Sequence, residues 1–197
     1  MMRSILVALI AIYASPVFAE ASFGTWQIDA EDTALFYVTT KKEHVAETHM
    51  IPDVFGGLSA EGFLRVALDM GSVQSGIEVR DGRLREHLFD VINFPVATFT
   101  AEIDVTEYES LSIGESMVGY INGDLVVVGT EGFVDFDVLV TRVNENRVVV
   151  SSLGPAIING ADFGLTEGID KLRELAKLPS ISYSVPVNFV ISLVRTQ

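Results

Sequence analysis

The chain contains no cysteine among its 197 residues, which excludes disulfides, thiolate nucleophiles, thiolate-bound zinc and lipidated cysteines. Its stability must come from burial. Histidine is nearly as scarce, with His44, His49 and His87 alone. His44 and His49 lie on opposite faces of a strand and about 140° apart on a helix, so one metal ion is poorly served by the pair. They read as solvated loop residues near Glu43 and Glu47, and no metal site is assigned. Basic residues are outnumbered by acidic ones, 13 to 27, for a net charge of −14. Such a field repels polyanions, excluding nucleic acid and a basic face for anionic lipid head groups. Long hydrophobic runs are missing too. Ile5 to Tyr13 falls far short of the roughly 20 residues that span a bilayer, and the apolar C-terminal run is broken by Ser182, Ser184, Pro186, Asn188 and Ser192. Catalytic signatures are absent as well: there is no Gly-x-Ser-x-Gly elbow, His-Glu-x-x-His, phosphate loop or dinucleotide fingerprint. No catalytic residue and no cofactor is assigned.

What the chain does have begins with Arg3, the apolar run, and Ser15-Pro16-Val17-Phe18-Ala19. Small residues one and three positions before a cut after Ala19 give the layout of a secretory signal peptide. Residues 1–19 are therefore expected to be removed, leaving residues 20–197 as one domain with no integral membrane segment and a slightly more negative charge.

From Gly24 onward the dominant period is two. Ala34, Phe36 and Val38 alternate with Leu35, Tyr37 and Thr39. Leu64, Val66 and Leu68 alternate with Arg65, Ala67 and Asp69, and Ala97, Phe99, Ala101 and Ile103 alternate with polar partners. Each reads as a strand with one buried face. Ile121, Leu125 and Val127 give another, with a reversal at Gly129-Thr130-Glu131-Gly132 into Val134, Phe136, Val138 and Val140. Asn144-Glu145-Asn146 turns the chain into Val148 to Val150. A final strand carries Ile181, Tyr183, Val185, Val187, Phe189, Ile191 and Leu193 on one face, with Pro186 placed at an edge or irregularity because it lacks an N–H. Two short helices interrupt the strands: one through Arg83 to Phe89 capped by Asp81, the other starting at Asp162 or Thr166 and ending by Leu178-Pro179. Roughly eight antiparallel strands with one apolar face imply a barrel or a sandwich. Eight strands is also about the size at which a closed barrel holds one small ligand.

Periodicity cannot separate a packed core from a hollow one. Phe36, Val38, Leu64, Val66, Leu68, Phe99, Phe136, Val138, Tyr183 and Phe189 fill the inward set either way. The segment Arg80 to Phe99 stands apart, with Arg80, Arg83, Arg85 and His87 followed by Asn93-Phe94-Pro95-Val96-Ala97-Thr98-Phe99. It reads as a capped helix with a solvated basic face leading into a strand, or as charges at a pocket mouth with Phe89 and Phe94 below.

These residues carry a resemblance. Trp26-Gln27-Ile28-Asp29, Phe55-Gly56-Gly57-Leu58, Ser72-Val73 before Arg80-Asp81, Arg83-Leu84, Leu88-Phe89-Asp90, Phe94-Pro95-Val96-Ala97-Thr98-Phe99 and Gly123-Asp124-Leu125 leading to Gly129 follow in order. The pattern resembles the YceI-like family of exported lipid-binding proteins across nearly all of residues 20–197. It departs at Val128, where the family often has histidine, and at Leu88, where Phe-Phe-Asp is usual. The resemblance implies an all-β fold, an extended eight-stranded antiparallel lipocalin-like barrel with one or two short helices, located in the periplasm. It further implies a hydrophobic channel for an isoprenoid lipid such as a quinone, with no enzymatic step. Phe36, Val38, Leu64, Val66, Phe94, Phe99, Phe136, Tyr183 and Phe189 are expected to contact that ligand. Two rival readings remain at this stage: an enzyme using His87 beside Asp81 or Asp90 on a held lipid, and an interaction module with a solid core. Homodimerisation is left open.

Overall fold

A computed structural model describes residues 25–196. The expected signal segment lies outside the described residues. Eleven strands are hydrogen-bonded into one antiparallel sheet: β1 (Trp26–Ile28), β2 (Ala34–Lys41), β3 (Val45–Ile51), β4 (Val54–Leu58), β5 (Phe63–Asp69), β6 (Val96–Glu102), β7 (Ser116–Val127), β8 (Thr130–Asn144), β9 (Arg147–Ser152), β10 (Ala156–Asn159) and β11 (Ser184–Arg195). Strand β11 pairs with β1 and β2 along one edge and with β9 and β10 along the other, so the sheet closes on itself. Interrupted strands share positions: β1 with β2, β3 with β4, and β9 with β10. The result is a closed eight-stranded antiparallel barrel.

The break between β1 and β2 has a local cause. Asp29 ends β1, and its side chain accepts from the Glu31 amide at 3.3 Å, starting a 3-10 turn. Its other oxygen accepts from Arg147 of β9 at 2.7 Å, and the same guanidinium donates to Asp32 at 2.6 Å and to Ser192 Oγ of β11 at 2.7 Å. One arginine ties the interrupted strand to two neighbours, so the motif aspartate is a clamp on closure.

The β7–β8 hairpin turns one step earlier than its glycines suggest. Val128 and Gly129 both have positive φ, 49° and 73°, the requirement of a two-residue type I′ loop that matches strand twist, and Thr130 already pairs with Val127. Val128 accepts a conformation that valine disfavours because the flanking register of twelve paired positions fixes the loop. The expected 145–146 turn is present, with the Asn146 amide on Asn144 Oδ1 at 2.8 Å. Pro186 lies one residue beyond the stretch of β11 that pairs with β2, where no N–H is needed on that edge.

Three α-helices decorate the barrel: α1 (Glu78–Arg83), α2 (Val105–Glu109) and α3 (Thr166–Leu175). Helix α1 begins earlier than its sequence suggests and runs into a π-turn over Leu84–Leu88. Asp81 does not cap it; its carboxylate takes the Ser75 amide at 2.8 Å and the Ser75 hydroxyl, pinning the loop before the helix. Helix α3 lies against the π-turn at Gly168, where a Cβ would stand 2.7 Å from the His87 carbonyl oxygen. Only glycine allows that approach. Helix α2, with Asp104 as its cap, has no counterpart in the sequence reading.

Candidate functional site

The barrel is hollow. An internal cavity of about 720 Å³ runs between its ends, within the roughly 300–1,000 Å³ typical of small-molecule sites. The solid-core reading is thereby overturned. The alternation of each strand decides what reaches it: Leu64, Val66 and Leu68 from β5, Ala97 and Phe99 from β6, Ile121, Leu125 and Val127 from β7, Val134, Phe136 and Val140 from β8, and Val185 to Leu193 at every second position of β11. Phe99, Phe136 and Phe189 form an edge-to-face series across the floor, with centroids 6.0 and 5.0 Å apart. Trp26, Ile103, Val105 and Tyr108 surround the end at which β1 and α2 lie. At the opposite end Leu84 and Leu88 from the π-turn, with Leu165, Ile169 and Leu172 from the start and body of α3, form a cover. Ile77 and Val79 also line the cavity yet are 53% and 67% exposed, which marks an opening there.

Of the nine residues expected to meet ligand, Leu64, Val66, Phe99, Phe136 and Phe189 line the cavity, and Phe36, Val38, Phe94 and Tyr183 do not. Phe36 and Val38 fail by one step of register, because Leu35, Tyr37, Thr39 and Lys41 of β2 face inward. The two faces of β2 are about equally apolar, so alternation alone could not choose between them. Phe94 sits outside, its ring occupying the space beside Gly129. Tyr183 precedes β11 and donates its hydroxyl to Asp170 Oδ1 of α3 at 3.1 Å.

The sequence reading missed a polar corner at the covered end. Tyr37 of β2 and His49 of β3 are directly paired in register, with rings edge to face at 5.1 Å. Both line the cavity and both are buried, 7% and 3% exposed. His49 is thus a wall residue of β3, not the solvated loop residue expected, whereas His44 in the preceding turn is exposed. Beside them Glu47 receives Lys41 Nζ at 2.6 Å and Arg80 of α1 at 2.7 Å. Arg80 also donates to the Ser75 carbonyl at 2.6 Å. The Tyr37 hydroxyl, both His49 ring nitrogens and Arg80 Nε have no hydrogen-bond partner among the described residues.

Burial sets the electrostatics of this corner. It pushes the His49 imidazole down to about 4, aided by the neighbouring Arg80 charge, so the ring is neutral near pH 7. Burial, with Asp81 nearby, pushes the Tyr37 phenol far above its ordinary value. The hydrogen bond from Lys41 is the main influence holding the Glu47 carboxyl below its usual range, with Arg80 adding to it. A paired ionic group therefore borders two neutral, unpaired hydrogen-bonding groups.

His87 is not among the residues lining the cavity; its Nε2 is 3.9 Å from Glu86, while Asp90 accepts from Asn93 at 2.8 Å and Asp81 holds Ser75. The proposed acid–base group is not assembled. No cluster of metal-ligating side chains occurs among the described residues, and no described helix is long and apolar enough to cross a membrane.

The model of the YceI-like domain family matches residues 26–193. The chain belongs to the YceI-like family. A polyisoprenoid-binding domain from Saccharophagus degradans, implicated in plant cell wall breakdown, is 37% identical to it, with a TM-score of 0.85 over 87% of this chain and 99% of that one. BcnA of Burkholderia cenocepacia shares the fold at 17% identity, TM-score 0.64, over 84% and 98% of the two chains. The Campylobacter jejuni YceI protein does so at 15%, TM-score 0.51, over 81% and 84%. Curated protein sequences give no match.

Proposed function

We propose that this YceI-like barrel is an exported carrier that sequesters an amphipathic isoprenoid lipid, a quinone-like molecule, in the periplasm without converting it. The hollow apolar interior carries the reading. An apolar interior of about 720 Å³ left unfilled forgoes the packing contacts that a solid core would make. A chain that keeps such a space is shaped for an occupant. The lining along strands β5 to β11 is aliphatic and aromatic apart from Arg142 and Arg195, which suits a long hydrocarbon tail, and burial of the tail contributes about 0.8 kcal/mol per methylene. The Saccharophagus relative, named for polyisoprenoid binding, supports the same class of cargo. Retention needs no catalytic group, and the separation of His87 from the cavity supports a binding role over an enzymatic one. The small-residue cut site after Ala19 supports export.

The test is organic extraction of protein purified from its native compartment, followed by mass spectrometry, together with binding of an added long-chain isoprenoid quinone. An isoprenoid in the extract at near one per protein is expected. Repeated absence of lipid together with no uptake of the quinone would overturn the reading. N-terminal sequencing of the exported form should begin at Glu20, and retention of residues 1–19 would refute cleavage.

A further inference from the structure

The cavity opens where α1 begins, and the lip of that opening is apolar. Ile77 and Val79 line the interior and are also exposed outside, so apolar surface continues from the cavity to the solvent. Ile77 is the N-cap of α1 and supplies no side-chain cap, at a position where Ser, Thr, Asp and Asn are favoured because they satisfy a free amide. Local helix stability does not explain an isoleucine there. The lip is also held in place, because Arg80 ties α1 to Glu47 of β3 at 2.7 Å and Arg83, which lines the cavity too, donates to the Leu175 carbonyl of α3 at 3.4 Å. Beyond α3 the Ser182 amide donates to the Thr40 carbonyl of β2 at 2.8 Å, and the Lys42 amide to the Ser180 carbonyl at 3.1 Å. Helix, hairpin and loop brace one another around the mouth.

Charge separates this end of the barrel from the other. The segments around the mouth, 41–47, 78–83 and 173–182, carry six Lys and Arg against five Asp and Glu, with His44 counted as neutral. Those at the opposite end, 29–32, 59–65, 102–115 and 142–147 with Arg195, carry four Arg against ten Asp and Glu. An anionic surface therefore repels the far end and not the mouth, although the whole chain bears −14. The mouth is balanced rather than basic. Lys41 and Arg80 are engaged by Glu47, Arg83 by the Leu175 carbonyl and Arg173 by Asp170. Lys42 and Lys177 are exposed and make no ion pair among the described residues.

We infer that the mouth docks on an anionic phospholipid bilayer, with Ile77 and Val79 entering between head groups and Lys42 and Lys177 meeting lipid phosphates. This rests on the lipid-binding reading and adds the surface at which cargo is exchanged. A tail crossing open water would expose all of its hydrocarbon, whereas a mouth seated on the bilayer passes it from one apolar phase to another.

The experiment measures partitioning of protein purified from its native compartment onto vesicles of phosphatidylethanolamine and phosphatidylglycerol. Wild type is compared with Ile77→Ser/Val79→Ser, with Lys42→Glu/Lys177→Glu, and with Ile113→Ser, which removes a comparably exposed isoleucine at the opposite end. The lip variant should lower partitioning roughly tenfold and the lysine variant roughly fivefold or more, while Ile113→Ser stays within about twofold. Unchanged thermal unfolding shows that the variants are folded. Uptake of an isoprenoid quinone from detergent by wild type, with no vesicle present, reports on the cavity separately. If that uptake is seen, absent partitioning of wild type, equal partitioning of the lip variant, or a loss as large in Ile113→Ser would overturn the docking surface alone. A lysine variant that partitions like wild type would overturn the contact with phosphates. Failure of quinone uptake would overturn the lipid-binding reading and, with it, the exchange surface.

Discussion

The wall built by β5 to β9 and the corner built by β2, β3 and α1 border the same cavity but obey different rules. In the wall, Leu64, Val66, Phe99, Ile121, Phe136 and Val150 face inward with no polar side-chain atom to satisfy. In the corner, a phenol and an imidazole are buried with their polar atoms unpartnered, beside a paired lysine, glutamate and arginine. Packing explains these six wall residues. It does not explain the corner, where replacing Tyr37 and His49 by apolar residues of similar shape would make the lipid-free protein easier to fold.

The wall should respond as a core does. Phe136→Ala removes the central ring of the aromatic series and should lower stability by roughly 3 kcal/mol, measured by urea unfolding of lipid-free protein. A loss below about 1 kcal/mol would show that the ring borders empty space on too many sides to count as core.

The corner should show itself through pH. His49 has its pKa lowered to about 4 from an ordinary value near 6.5, so below neutrality the unfolded chain takes up a proton that the folded chain refuses. Stability from this group is present in full above about pH 6.5 and is lost as pH falls through about 4, amounting to roughly 3 kcal/mol. Arg80, Glu47, Asp81 and Lys41 face the ring and set that shift together with burial. The His49→Leu variant should lose most of this slope between pH 6.5 and 4, and parallel curves for variant and wild type would contradict a buried neutral histidine.

Glu47→Gln leaves Lys41 and Arg80 without their shared carboxylate. A loss of about 1–2 kcal/mol is expected, discounted from a fully buried pair because these side chains keep about a quarter of their surface in water. Thermal unfolding in low and high salt checks it, with the deficit shrinking in salt for a screened pair. The smallest effect has the opposite sign. Tyr37→Phe should leave lipid-free stability unchanged or raise it by up to about 1 kcal/mol, and a clear loss would reveal a partner for the hydroxyl in the free protein.

Most of the barrel was legible in the sequence because its strands have one apolar and one polar face. Leu64, Val66 and Leu68 alternate with Arg65 and Asp69, and a one-residue slip would put charge in the cavity. Where both faces are apolar the period loses its meaning. In β2 the set Phe36 and Val38 looks as inward as Leu35 and Tyr37, and pairing with β11 and β3 makes the choice. His49 was obscured by its charged neighbours, since Glu43, His44 and Glu47 resemble a solvated loop until β3 is seen to pair with β2 over seven positions.

By itself, then, the sequence determined the acidic charge, the absence of thiol chemistry, the all-β pattern and the family, all of which depend on composition and local order. Tertiary structure decided that the barrel is hollow, that Phe94 and Tyr183 lie outside it, and that Tyr37, His49 and Arg80 meet at its covered end. Closure is the physical reason: whether an inward residue packs against another residue or faces a void depends on the circumference of the whole sheet. So does the approach of a helix residue such as Arg80 to strands more than thirty positions away, as its 2.7 Å contact with Glu47 requires.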